Sequence, residues 1–243
     1  MTVHEAAYDR YFGLLKSPGR LRTAPVVAAV IGDLPRTGLT EDERTVLAEG
    51  MHLASRVVAA AHPRAPFDAE PVDGLPGPLR RWKLGHQVFH LLLTAMNSGL
   101  DDALAAARTA AWPSLLHDME QLRLLYDAAT AAMEYAADFP AVAYRDGVRP
   151  TMTPPHVPPG FSGAFNRDHR VMVRRLRGLE RAMRTLPPDV PALAAVHRGA
   201  AALQGAQCRN RRHHARICRR CVPGGASLLR LHFAREDPAC DTG

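Results

Sequence analysis

Residues 208–221, CRNRRHHARICRRC, concentrate the side chains best suited to chemistry. His214 and Cys218 stand four residues apart, so on a helix they share one face within about 6 Å. An imidazole placed there can ligate heme iron while a thiol one turn away reaches the macrocycle edge. The Cys-x-x-Cys-His attachment motif uses the same separation in reverse order. Arg209, Arg211, Arg212, Arg216, Arg219 and Arg220 surround the pair and could meet the two propionates. Two other readings stay open. Cys218-x-x-Cys221 with His214 and either Cys208 or His232 could bind zinc, although the usual second knuckle is absent. An arginine-rich helix can also be a solvated face.

His86 is the second candidate. It lies in RRWKLGHQVFHLLLTAMN, on an apolar helix beside Trp82, Phe89, His90 and Leu93. A neutral imidazole there needs only one donor and one acceptor, so a core role competes with an acid-base role.

Helices must position these groups. Thr40 and Glu43 form a capping box, and Val46, Leu47, Met51, Leu53 and Val57 continue it as an apolar stripe, predicting a helix over 40–61. Residues 62–78 hold five prolines and two glycines and read as a loop. A helix follows over 79–96, with Asn97-Ser98-Gly99 as a break and a shorter helix over 101–109. Further helices are expected over 112–137, 166–186 and 191–221. Between them, 143–163 carries five prolines and three glycines, which excludes regular structure, and a loop of that length usually has a function. Residues 1–38 read as a loosely helical N-terminal arm suited to packing or a subunit contact, which makes a homodimer an expected assembly. No stretch alternates with period two, so the expectation is one all-α domain over 1–243, with its core over 39–228 and an irregular tail over 229–243.

Composition narrows the function classes. At 47% hydrophobic residues over 243 positions, the chain can fill one continuous core. No window approaches the roughly 18 to 20 apolar residues of a membrane span, and the start, MTVHEAAYDRYF, lacks the order of a secretion signal. A cytoplasmic location without membrane contact is therefore expected. The net charge of +7 raises nucleic-acid binding, but the basic residues are nearly all arginine in an alanine-rich chain, which reads as coding bias. No nucleic-acid partner is expected. All four cysteines fall within 208–240, against a disulfide framework.

The order of the pieces resembles a family. GHQVFHLLL on one helix, a long helix, AYRDG, PPGFSGAFNRDH, then an arginine-flanked histidine followed by Gly-Gly-Ala-Ser is similar to the tryptophan 2,3-dioxygenase superfamily of heme-dependent aromatic oxygenases. The resemblance covers about residues 80–228. It implies a helical bundle enclosing a heme, a distal histidine at His86 and a substrate carboxylate on Arg145. It also implies a heme-bordering loop over 160–163 with Phe161 on the heme and Ser162 on the substrate, and Ser227 near the substrate ammonium group. The chain is short and carries His-x-x-x-Cys, which resembles the tyrosine-hydroxylating branch that uses hydrogen peroxide in natural-product pathways. That branch implies hydroxylation of L-tyrosine, or a methylated tyrosine, to a catechol such as L-DOPA. It makes His214 the preferred axial ligand, with heme attached through one thioether to Cys218. His213 fits the dioxygenase spacing about as well, and His197 is a third axial candidate. A ring-opening dioxygenase and a zinc-stabilised nucleic-acid-binding protein are the rival readings.

Overall fold

Thr40 and Glu43 close the anticipated capping box: Thr40 Oγ1 accepts from Glu43 N at 3.2 Å, and Glu43 Oε2 accepts from Thr40 N at 2.9 Å. The helix they start, α3, spans Glu41–Ala61. A second box, Thr2 with Glu5, starts α1 over Val3–Phe12, and α2 covers Thr23–Asp33. This is a computed structural model that describes residues 2–15, 23–61, 68–69, 72, 74–187, 192–222 and 228. Two short strands, β1 (Leu14–Leu15) and β2 (Asp68–Ala69), pair antiparallel with Leu14 opposite Ala69. All the rest of the described regular structure is helical, as the sequence predicts.

The long helices are α4 (Gly77–Arg108), α5 (Trp112–Ala136), α7 (Arg167–Arg184) and α8 (Leu193–Cys221), with a single turn, α6, at Ala141–Ala143. α5 is the central rod. It packs against α3, α4 and α8, while α7 lies on α4 and touches α8 only sparingly. Small residues allow the close approach. A Cβ on Gly50 would lie 2.1 Å from Ala128 Cβ, and one on Gly85 would lie 2.4 Å from Ala136 Cβ, so α3 and α4 each press a glycine against α5. Leu91, Leu92, Leu93 and Met96 of α4 meet Leu115, Leu122 and Leu125 of α5 in the core.

Three expectations need correction. Residues 97–99 do not break the helix, because α4 runs through them to Arg108. Asn97 turns its amide to Leu93 O and to Asp168 O on α7, each at 3.1 Å, while Gly99 lies against Leu122. Tertiary partners thus satisfy the groups that would otherwise favour a local stop. The segment 143–163 is not irregular throughout: it winds through a π-helical turn at Tyr144–Val148 and a 3-10 turn at Arg149–Met152. The N-terminal residues are not a loose arm either. Tyr8, Tyr11 and Phe12 are buried in the core, and Glu5 pairs with Arg170 of α7. Ser227 and the tail over 229–243 lie outside the described residues.

Candidate functional site

His86 follows Gly85, the residue at which α4 touches α5, and is half-buried. Its Nδ1–H donates to Trp82 O at 2.7 Å, since a carbonyl can only accept. Nε2 is then the nitrogen free to take a proton. Phe12 stacks on the imidazole, with centroids 4.1 Å apart and planes 8° apart, and Trp82 lies at 4.3 Å. Burial among these rings lowers the His86 pKa to about 4, and His214 adds a smaller push in the same direction. The imidazole is therefore neutral at pH 7.

Phe12 reaches His86 because Gln87, the next residue on α4, donates from Nε2 to Phe12 O at 3.0 Å. The His-Gln pair is thus split: Gln87 ties α1 in place, and the Phe12 ring it holds lies over His86. Phe161 continues the wall, stacked on Tyr8 at 5.9 Å and edge-on to Tyr11 at 5.1 Å. Tyr144 meets Trp82 at 5.5 Å, and both Cys218 and Cys221 contribute to its raised pKa of about 12, behind the larger effect of burial. The aromatic wall and the end of α8 therefore adjoin.

On α8, Cys218 Sγ lies 3.9 Å from both ring nitrogens of His214. Both side chains are exposed at the surface of α8, and the partial desolvation there lowers the His214 pKa and raises that of Cys218. A buried acid on α5 sets how α8 presents this pair. Glu134 Oε1 accepts from Arg216, its Oε2 is 3.6 Å from Arg220 Nη1, and His213 Nδ1 lies 3.1 Å from Oε1. His213 is thus turned toward α5. His197 is exposed, 17 residues before His214, or roughly 25 Å up the helix.

The sequence reading passed over His169. It stands in the first turn of α7, behind the Asn166 cap, with Phe89 at 6.5 Å. Burial lowers its pKa, and His214 lowers it further. His86 on α4 and His169 on α7 therefore both feel the charge of His214 on α8. The only trace in the sequence was the position of His169 in the NRDH segment.

Other expected contacts are not brought together. Arg145 is exposed, with Nε 2.6 Å and Nη2 3.0 Å from its neighbour Asp146, while Tyr144 takes the inward position. Adjacent residues on a helical turn point about 100° apart, so the two cannot both face inward. Three of the six α8 arginines are also committed to acids. Arg209 pairs with Asp127 at 2.8 Å, and Arg216 and Arg220 pair with Glu134. Ser162 is half-buried beside Phe161. Among the described residues, no group of three or more His, Cys, Asp or Glu side chains could hold a metal ion, and none of the helices is long and apolar enough to cross a membrane.

Residues 2–203 match the family described as SfmD 3-methyl-L-tyrosine peroxygenase. The chain belongs to that family. His86, Phe161 and His169 fall within the matched stretch, whereas His214 and Cys218 lie beyond it. A 3-methyl-L-tyrosine peroxygenase of Streptomyces lavendulae is 35% identical over 104 residues, which make up 41% of this chain and 27% of that relative. A crystal structure of reduced SfmD, soaked with sodium hydrosulfite, shares the fold, with a TM-score of 0.56 at 21% identity over 86% of this chain and 74% of that one. Membership in the SfmD family bears out the resemblance to peroxide-using tyrosine hydroxylases.

The buried imidazole has a measurable consequence for the heme-free chain. Unfolded, His86 titrates near 6.5, and folded at about 4, so between these values the unfolded state binds more protons and stability falls as pH falls. The contribution is fully present above pH 6.5 and the loss reaches at most about 3 kcal/mol below pH 4. Denaturant midpoints across this window should decline; a flat profile would mean that the imidazole is solvated.

Proposed function

We propose that this chain is a heme-dependent peroxygenase that hydroxylates the ring of L-tyrosine, or of a ring-methylated tyrosine, giving a catechol and water from the phenol and hydrogen peroxide. One observation carries the reading: His86 lies against Phe12 and Trp82 in an aromatic wall that continues through Tyr144, while His214 and Cys218 sit together on the end of α8 that adjoins Tyr144. Aromatic walls, a nitrogen ligand and an adjacent thiol are the donor set that a porphyrin needs, so the residues present fit the group. The family description supports the substrate class and the oxidant.

In this reading His214 would hold the heme iron, because His213 is engaged by Glu134 and His197 is distant. Heme, when bound, supplies the redox chemistry that inserts the oxygen atom. His86 Nε2 accepts a proton from hydrogen peroxide and returns it to the departing oxygen, and its neutral state at pH 7 suits that transfer. The Trp82 carbonyl fixes the tautomer. Phe12 and Phe161 exclude water and hold the phenol ring edge toward the oxidant. Cys218 can add its S–H across a porphyrin vinyl group, forming one thioether with no other reagent consumed. Arg145 could take the substrate carboxylate only after leaving Asp146; Ser162 and Ser227 remain assigned to the substrate's polar end.

The test is reconstitution. Purified protein with hemin should develop a Soret band and, given peroxide and L-tyrosine or 3-methyl-L-tyrosine, should yield the catechol by liquid chromatography. Mass spectrometry of the same sample under denaturing conditions should find heme on the polypeptide and lose it in Cys218→Ala. A chain that takes up no hemin, or binds it without forming product, overturns the proposal.

A further inference from the structure

A groove of about 670 Å³ runs along α7, starting at His169. Arg170, Arg174, Arg177, Arg181 and Arg184 line it, with Glu180 as the one carboxylate. Guanidiniums at this spacing on one helix repel one another, so the stripe lowers helix stability unless an anion sits on it. Not all of its arginines are available. Arg170 is held by Glu5 of α1, and the neighbouring Arg175, on the flank that packs against α4, is held by Asp101 and Asn97. Arg174 and Arg177 are exposed and have no ion-pair partner among the described residues.

We propose that Arg174 and Arg177, one to two turns along the groove from His169, hold the propionate carboxylates of the heme. The inference rests on the heme reading above and deepens it. His169 faces Phe89 at 6.5 Å, and Phe89 lies one helical turn from His86 on α4, so this end of the groove adjoins the place where a porphyrin would lie. Of the six α8 arginines that the sequence offered for this task, Arg209, Arg216 and Arg220 are spent on Asp127 and Glu134 of α5, and Arg211 contacts Cys208. Two propionates also suit the stripe better than a free amino acid does. Each carboxylate takes one planar guanidinium fork, whereas the ammonium group of a zwitterion would meet five cations and a single acid.

Hemin titration tests this, with the Soret band as the readout. In a Cys218→Ala background, which keeps binding reversible, R174Q/R177Q should raise the apparent hemin Kd about tenfold. R181Q/R184Q, farther along α7, should leave it unchanged. Hemin dimethyl ester, which lacks the carboxylates, should bind the parent and R174Q/R177Q equally. The difference between parent and variant should also shrink as salt rises. Should Cys218→Ala not fold, stopped-flow association of hemin with the unaltered chain and its arginine variants gives the same comparison before a thioether forms. Equal hemin affinity in parent and R174Q/R177Q overturns the assignment. So does an equal loss in R181Q/R184Q, or a weakened L-tyrosine KM with hemin affinity intact, which would move the carboxylate site to the substrate. If the parent takes up no hemin at all, the heme reading fails first, and that outcome is distinct from the others.

Discussion

His86→Ala is expected to keep its heme and lose hydroxylation by about 10²- to 10⁴-fold, the range that a positioned proton-transfer group contributes. The argument runs through one hydrogen bond. Because Nδ1–H is committed to Trp82 O, the ring cannot flip to offer the other nitrogen without losing that bond, which leaves Nε2 as the nitrogen for the proposed base. Burial against Phe12 and Trp82 holds the ring unprotonated across the physiological range. The alanine variant keeps His214 and Cys218, so its Soret absorbance should stay near that of the wild type while kcat falls. Unchanged turnover would remove His86 from the mechanism. Loss of heme along with activity would instead make it a binding residue.

Gly85→Ala should be the most damaging single methyl group in this protein's active region, at about 3 kcal/mol and a fall in Tm of about 10 °C. The added Cβ would stand 2.4 Å from Ala136 Cβ and 2.8 Å from Ala136 Cα. The second of these is backbone and cannot rotate away, so α4 and α5 must move apart. That separation falls one residue from His86, so heme uptake should weaken together with stability. Gly147→Ala is the control, since nothing lies within 4 Å of its added carbon. Circular dichroism melting of the two variants makes the comparison, and wild-type melting of Gly85→Ala would show that the α4–α5 contact is looser than described.

Much of the helical frame was legible because it is written locally. The Thr40–Glu43 box fixes the start of α3, Asn166 caps α7, and the apolar stripe of 112–137 coincides with α5. Asn97-Ser98-Gly99 misled because the local preference for a stop was outweighed by partners on α5 and α7 far away in sequence. The site divides the same way. His214 with Cys218 is a pair at helical spacing and could be read directly. Phe12 lies 74 residues before His86, and no pattern announces that the two rings stack. Arg145 had the right motif, but motif order does not fix which way a residue faces on a π-helical turn, and there Tyr144 took the inward place. His169 carries no spacing signal at all.

The acid at Glu134 does more than neutralise charge. By gripping Arg216, Arg220 and His213 at once, it fixes the azimuth of the final helix. Each residue added to a helix turns everything beyond it by about 100°. A one-residue insertion between Arg209 and His213 would therefore leave a choice: keep the clamp and strain the upper half, or release it and swing the imidazole and thiol out of the site. The clamp therefore tolerates exchanges of side chain in this helix, while length changes must be absorbed before it begins or after it ends.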